Sequence, residues 1–452
     1  MRIIIVGAGA LGLGLAGYLS RFDHEISVIE RNPVLIDEIN SRFDVLTVQG
    51  TGSSPAVLEE AGARQADMIV AVTPNDETNL LACHFAMQFG VEKRIARIIS
   101  DEILTGSIDL ATLGVTHYIE TEKELVKTIL RFVELPGLAD TADFHGESVY
   151  LRGYRITPDM PIAGKSLLEI RDLAGPAQML VVAIIRNGVS IIPSGGERLL
   201  PGDETITIMP KESYSTYRTL INRPVSRLKK IVVSGDSVAA VHICEALSEL
   251  AERVILVDPD PEHAKEAAEE LNGVEVLGGD TTDADLLQEI NVKNCDFYIA
   301  ASKDMEDNIM SSLLAKAEGA REVIALRTDD RHFDLFHSLG VDHVISPRRI
   351  TLQKILESIQ IAPMDSLLKL KKVDLDVVRV TASKHSAAVG KPLASLDKVF
   401  KKGVIIGAII REGNIIIPRG DSMITEGDEV LVLCHRRNLS NVNSIFRAGL
   451  RF

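Results

Sequence analysis

The chain has 452 residues, 46% of them hydrophobic and 25% charged, with a formal net charge of −15. That is the composition of folded globular protein and not of a disordered chain. So large an acid excess argues against nonspecific binding to nucleic acid or anionic lipid, and no nucleic-acid partner is expected. At about 150 residues per domain the length suggests about three domains.

Residues 2–6 (Arg-Ile-Ile-Ile-Val) form a continuous aliphatic run closed by Gly7, the mark of a strand buried on both faces. An apolar helix is expected over 10–20 and a second strand over 25–30, and Pro33 suits the first turn of the next helix. Short apolar strands follow at 45–49, 68–72 and 95–99, with helical segments between them. This alternation predicts a doubly wound parallel sheet. A further amphipathic helix spans 122–135 and is stopped by Pro136-Gly137. From about 148 to 209 the pattern changes to short β-rich runs separated by Asn187-Gly188, Ser194-Gly195-Gly196 and Pro201-Gly202-Asp203, which predicts a small α+β domain built on hairpins.

The whole scheme is then repeated. Lys230-Ile231-Val232-Val233-Ser234-Gly235 answers residues 2–7, and Glu306-Asp307-Asn308 answers Glu77-Thr78-Asn79. Leu339-Gly340-Val341 answers Leu113-Gly114-Val115, and Gly427-Asp428-Glu429 answers Gly202-Asp203-Glu204. The expected fold is α/β, with two doubly wound parallel-sheet domains, each followed by a small α+β domain. The boundaries fall at 1–137, 138–222, 229–360 and 367–452, with 138–147 and 222–229 reading as connecting segments.

Cys83, Cys244, Cys295 and Cys434 are widely spaced, with no C-x-x-C pair, so buried unreactive thiols in a reducing compartment are expected. No signal peptide and no run of about 18 uncharged apolar residues is present, so any link to a membrane is expected to pass through a partner.

Gly7-Ala8-Gly9-Ala10-Leu11-Gly12 fits G-x-G-x-x-G between a strand and a helix, and Glu30 ends the next strand. Gly7 permits the tight turn, Gly9 lets the backbone approach a pyrophosphate, and Gly12 lets helix and strand pack closely. The amides opening the helix then hold the phosphates. Glu30 is expected to accept from ribose hydroxyls, which favours NAD(H) or ATP/ADP over a 2′-phosphorylated cofactor. Arg31 follows it, with its side chain expected on the opposite face. Thr73 and Pro74 lie at the carboxyl edge of the fourth strand. Arg97 interrupts an aliphatic strand, and its charge needs either a phosphate or a structural carboxylate.

In the second copy the motif reads Gly235-Asp236-Ser237-Val238-Ala239-Ala240, with Asp258 at the end of the next strand and Leu326 in the place of Arg97. Asp236 brings a negative charge close to any phosphate, so a weaker or different ligand is expected there.

No catalytic set accompanies these turns. None of the seven tyrosines is followed four residues on by Lys, and H-E-x-x-H and G-x-S-x-G are missing. Gly164-Lys165-Ser166 reads as a turn entering a helix, and His117 and His343 as matched structural residues at strand starts. No catalytic residue and no metal ligand is assigned. The alternative from another class is an NAD-dependent oxidoreductase using the first crevice.

Together these features resemble the RCK (regulator of K+ conductance) family. The resemblance is carried by Gly7-Ala8-Gly9 with Glu30, Ala61-Gly62-Ala63 with Ala66-Asp67, the run Val-Thr-Pro-Asn-Asp-Glu-Thr-Asn at 72–79, and Ala96-Arg97-Ile98. Pro74 stands where the family more usually has Asn. The tandem arrangement is similar to the regulatory subunits of Trk-type potassium uptake systems. The resemblance implies Rossmann-like large domains, small RCK-C domains, NAD(H) and ATP or ADP as regulatory ligands, and a gating role in place of catalysis. It further implies a homotetramer, a ring of eight RCK units, on the cytoplasmic face of a TrkH/TrkG-type membrane potassium channel subunit. Glu122 matches the acid that holds a cation in some single-RCK relatives, while the second copy has Arg348 there.

Overall fold

The structure is a computed structural model; it describes all residues except 21–23, 106–108, 136–137, 145–147, 224–226, 328–335, 337–338, 360–363, 371–374, 397–399, 401–402 and 448–452. The expected helix stop at Pro136-Gly137 lies outside the described residues. The chain forms two compact units from interleaved stretches, Met1–Ile129 with Leu228–Ile359 and Leu130–Arg227 with Gln360–Phe452.

The first copy opens with β1 (Arg2–Val6), α1 (Ala10–Leu19), β2 (Glu25–Glu30), α2 (Pro33–Arg42), β3 (Leu46–Gln49) and α3 (Pro55–Glu60). It continues with β4 (Met68–Ala71), α4 (Asp76–Gln88), β5 (Lys93–Ile98), α5 (Asp101–Thr105), β6 (His117–Glu120) and α6 (Thr121–Glu134). The six strands make one parallel sheet in the order β3-β2-β1-β4-β5-β6. Ile3, Ile4, Ile5 and Val6 are all buried, as a strand covered on both faces requires. Burying each such side chain stabilises the fold by about 1.5–3 kcal/mol. Two helices begin on a Pro after a capping residue, α2 after Asn32 and α3 after Ser54.

The small domain that follows comprises β7 (Leu138–Phe144), β8 (Val149–Arg155), α7 (Leu167–Ala174), β9 (Leu180–Arg186), β10 (Val189–Ile191), β11 (Glu204–Pro210) and α8 (Tyr214–Leu220). Its strands form a sheet in the order β10-β9-β11-β8-β7. Asn187 and Gly188 both take positive φ, +52° and +75°, in the β9–β10 hairpin, as an Asn-Gly turn should. Residues 138–144, expected as a connecting segment, are instead strand β7, paired antiparallel to β8. The Leu-Ala-Asp-Thr-Ala-Asp-Phe stretch carries no clear alternation, and a partner strand supplies what its own sequence does not.

The second copy repeats this plan with β12 (Leu228–Ser234), α9 (Val238–Ser248), β13 (Ala251–Asp258), α10 (Pro261–Glu270), β14 (Val274–Gly278), α11 (Ala284–Glu289) and β15 (Phe297–Ala300). Then come α12 (Met305–Ala317), β16 (Glu322–Leu326), β17 (His343–Ile345) and α13 (Pro347–Ile359). The sheet order, β14-β13-β12-β15-β16-β17, matches the first. The second small domain has β18 (Met364–Leu370), β19 (Leu375–Thr381), β20 (Val404–Arg411), β21 (Asn414–Ile416), β22 (Glu429–His435) and α14 (Leu439–Arg447), in the order β18-β19-β22-β20-β21.

Within the first unit the two large domains meet where α13 crosses α1. Leu352 packs at Gly14, Arg348 donates to the Ala10 carbonyl, and Lys93 donates to the Ile359 carbonyl at 2.7 Å. Within the second unit the small domains share one core, in which Val149, Leu151, Ile206 and Ile208 join Leu375, Val377, Leu431 and Leu433.

Each small domain holds the same fork. Arg186 Nε and Nη2 donate to the two oxygens of Asp203, each at 2.8 Å, and Arg411 grips Asp428 at 2.9 and 2.8 Å. Burial works against ionisation of both carboxylates, yet the paired arginine and the Leu200 or Thr425 amide hold them below the usual aspartate range. A carboxyl depressed on folding adds stability above its unfolded value of about 3.9 and loses it as pH falls through the folded value. Acid unfolding followed by circular dichroism is therefore expected below about pH 4, with a flatter profile in Asp203→Asn. An unchanged profile would remove the fork from this role.

All four cysteines are buried, and burial pushes the thiols of Cys83, Cys295 and Cys434 up to about 12 and that of Cys244 well up too. They meet the expectation of inert thiols. Gly164 turns at φ +76° into α7, which Ser166 and Glu169 open with a capping box, so the Gly-Lys-Ser run is the expected helix entrance. Among the described residues no helix is long and apolar enough to cross a membrane.

Candidate nucleotide site

In an open α/β sheet a ligand lies beyond the carboxyl ends of the strands, where the strand order reverses. Here that point is between β1 and β4, and the chain places Gly7 and Thr73 side by side there. Gly7 has φ +102°, and its N–H donates to the Ile29 carbonyl at 2.8 Å, which ties the turn to β2. A Cβ at Gly12 would lie 1.8 Å from the Gly7 carbonyl oxygen, so helix and strand pack as closely as the motif implies. At Gly9 an added Cβ would meet no heavy atom within 4 Å. The turn is open on the Gly9 side. Ala10, Leu11 and Gly12 follow as the first turn of α1, and no side chain caps it.

Glu30 has work within the protein. Its Oε2 accepts from the Ala8 N–H at 2.7 Å, and its Oε1 from those of Arg31 (2.7 Å) and Asn32 (2.9 Å). One carboxylate thus clamps the glycine turn to the end of β2. Arg31 is exposed.

Thr73 and Pro74 bridge β4 and α4. Thr73 Oγ1 donates at 2.7 Å to Asn79 Oδ1, which also accepts from the Thr73 N–H at 3.0 Å. The Asn79 amide donates to the carbonyls of Thr73 (3.0 Å) and Arg97 (2.9 Å). The fully buried Asn79 therefore fixes the rim by joining the ends of β4 and β5. Sequence reasoning passed over this brace, although the match of Asn79 to Asn308 between the copies pointed to it. Asn308 makes the same backbone bonds, to the N–H and carbonyl of Ser302 and to the Leu326 carbonyl.

Arg97 is half-buried on β5, and its Nε donates to Thr121 Oγ1 at 3.2 Å. Burial pulls its guanidinium below the usual range, opposed by the charges of Asp76 and then Glu122. Among the described residues the one side-chain hydrogen bond of Arg97 is to Thr121, and the nearby acids act on it by charge. Asp76, which the sequence places at this edge without a role, is buried and accepts from the amides of Ile99 (2.9 Å) and Ser100 (2.7 Å). Its one-residue offset from an exposed acid, Glu77, left no periodic signal. Among the described residues no group of three or more His, Cys, Asp or Glu is placed to hold a metal ion.

The histidines stay away from this edge. His117 is largely exposed at the start of β6, where partial desolvation of its ring and then the charge of Lys93 hold it below its ordinary value. His343 is buried against Glu322 at 2.9 Å.

The second crevice is built from the same elements and furnished differently. Gly235 has φ +134°, and a Cβ there would lie 2.2 Å from the Ser302 nitrogen. Asp236 Oδ1 accepts from the Ser302 hydroxyl and the Lys303 N–H, each at 3.2 Å, and its Oδ2 lies 3.2 Å from Lys303 Nζ. Ser237 caps α9, accepting from the Ala240 N–H at 3.2 Å, and donates to the Ala301 carbonyl. Val238 and Ala239 form the first turn of α9. Asp258 is fully buried, where it accepts from the Asp260 N–H at 2.8 Å and pairs with His263. Leu326 and Met305 stand where the first copy has Arg97 and Asp76, and the buried Arg327 lies over the Phe336 ring at 5.6 Å.

Comparison with known proteins agrees with this duplicated plan. The TrkA-N domain family matches residues 3–120 and 231–347, and the TrkA-C domain family matches 151–222 and 377–447. The Trk system potassium uptake protein TrkA of Azorhizobium caulinodans is 30% identical over 459 residues, covering 100% of both chains. The TrkA homolog of Archaeoglobus fulgidus is 30% identical over 99% of this chain and 100% of its own. Among solved structures, the GsuK channel bound to NAD has a TM-score of 0.63 at 17% identity, over 99% of this chain and 78% of that one. The GsuK RCK domain has a TM-score of 0.60 at 18% identity, over 99% and 95%. These two share the fold. By the domain matches over most of its length and the end-to-end likeness to TrkA proteins, the chain belongs to the TrkA family of Trk potassium uptake proteins.

Proposed function

We propose that the chain is the regulatory subunit of a Trk-type potassium uptake channel and that its first crevice is the nucleotide sensor. The observation that carries this reading is the open glycine turn at the strand-order reversal, with Glu30 clamped beside it, in a chain of the TrkA family. NAD(H) or ATP/ADP is the ligand class: the Gly9 side offers space and helix-end amides to a pyrophosphate, and Glu30 offers an acceptor to ribose hydroxyls. A ligand shifts gating by its difference in affinity for two conformations of the assembly, commonly about 1–3 kcal/mol. ATP and ADP, or NADH and NAD, then compete with opposite effects. Equal potassium flux with all four ligands, in vesicles holding the channel and this chain, would count against the reading.

Glu30→Ala is expected to weaken nucleotide binding to the full chain by about 1.5–3 kcal/mol, the range for a charge-assisted hydrogen bond. Calorimetric titration checks it. The variant also strands the amides of Ala8, Arg31 and Asn32, so Glu30→Gln, which keeps an acceptor, is expected to lose less.

The partner is a TrkH/TrkG-type membrane subunit, with the chain on the cytoplasmic face of the membrane through it. Self-association to a homotetramer, a ring of eight RCK units, is supported by apolar side chains exposed at matching places in the repeat. Leu81 on α4 and Met310 on α12 are 43% and 51% exposed. Light scattering should give a mass of about four chains, and Leu81→Lys/Met310→Lys should lower it. A full-size assembly in the double variant would exclude these faces.

A further inference from the structure

The two crevices differ in who supplies the negative charge. In the first, the turn carries Ala8 and Gly9 and faces Thr73 and Pro74. The matching positions of the second hold Asp236, Ser237, Ser302 and Lys303. Asp236, Ser237 and Lys303 each make a side-chain bond in the second crevice that Ala8, Gly9 and Pro74 do not make in the first. Lys303 brings an ammonium and a backbone N–H, and Asp236 takes both. Pro74 has neither. Ser237 takes the Ala240 amide at the start of α9, an amide that Gly9 leaves without a side-chain cap in α1.

We propose that Asp236 closes the second crevice to nucleotides: its carboxylate, held by Ser302 and Lys303, takes the place of a ligand phosphate, so each chain carries one nucleotide site.

This rests on the first crevice being a nucleotide site and adds which crevice is used and which residue decides it. A bound phosphate would have to displace a carboxylate from its donors and then lie against it, and such like-charge contacts are a strong device for excluding ligands. The surroundings sharpen the effect. Burial, and then the charges of Asp304, Asp280 and Asp236, push the Asp307 carboxyl above its usual range, the sign of concentrated negative charge at this rim. Asp236 itself is held low, since the bonds from Lys303 outweigh its burial, and so it stays charged. Both acids accept from backbone amides, but Glu30 is partly exposed whereas its counterpart Asp258 is fully buried and paired with His263, which keeps it from a ribose.

The test is equilibrium dialysis of the full chain against ADP and against NADH, for wild type, Gly9→Glu, Asp236→Ala and the double variant. Gly9→Glu puts a carboxylate into the open side of the first turn, where an added Cβ meets nothing. The expected result is about one nucleotide per chain in wild type and at least about tenfold weaker binding in Gly9→Glu, with a site regained when Asp236→Ala is added. Two nucleotides per wild-type chain, one tight site surviving in Gly9→Glu, or no site gained on Asp236→Ala would each overturn the proposal. Failure of wild type to bind either ligand would sink the first-crevice reading instead. Asp236→Ala alone then still decides the closure, by gaining a site or not.

Discussion

Gly12→Val should cost the chain about 3 kcal/mol or more and lower nucleotide affinity by at least about a hundredfold. The new Cβ would sit 1.8 Å from the Gly7 carbonyl oxygen, and the obstacle is backbone, which cannot rotate aside as a side chain would. Relief requires α1 to move off β1. That movement carries away the amides of the first helical turn and loosens the Ala8 bond to Glu30. Chemical denaturation of the full chain reads the first effect and calorimetry the second. Gly9→Ala is the control: nothing lies within 4 Å of its Cβ, so stability should change by less than about 1 kcal/mol. A Gly12→Val protein as stable as wild type would mean that helix and strand do not pack as described.

Asp143→Ala is expected to destabilise the small-domain unit by about 3–5 kcal/mol, the cost of stripping one partner from a buried ion pair. Asp143 lies between two guanidinium groups, Arg131 Nε and Arg152 Nη1, each at 2.6 Å. The Arg152 side chain is 2% exposed and its guanidinium sits 4.2 Å from the Tyr150 ring centre and 5.2 Å from that of Tyr214. Without the carboxylate, two neighbouring guanidinium groups lose their shared partner where little water screens them. Urea unfolding of the full chain measures the loss, and Asp143→Asn, which keeps the shape without the charge, should fall between. A change under about 1 kcal/mol would mean that the arginines find other partners.

Much of this was legible in the sequence. The aliphatic runs, the glycine turns and the Pro-initiated helices have local physical causes, and the parallel sheets and hairpins stand where those causes put them. The repeat supplied the architecture of the second half at once. Residues acting through distant partners were harder to read. Strand β7 depends on β8, not on its own pattern. Asp76 works through the amides of Ile99 and Ser100, and Asn79 through the carbonyl of Arg97, across separations that no local window spans. The charge of Asp236 was visible, but its grip on Ser302 and Lys303, 66 and 67 residues away, was not. Glu30 was read as a ligand acceptor, while its service to three backbone amides needed coordinates.

The crossing of α13 over α1 gives the duplication a different meaning. Leu352 covers Gly14, Arg348 grips the carbonyl of Ala10, and Thr351 donates at 3.4 Å to Thr121, the residue that receives Arg97. The second copy thus packs directly on the helix that opens the first glycine turn. Whatever each crevice binds, trimming away the second copy would bare the flank of α1 to water. The two halves have become hostages to each other in packing.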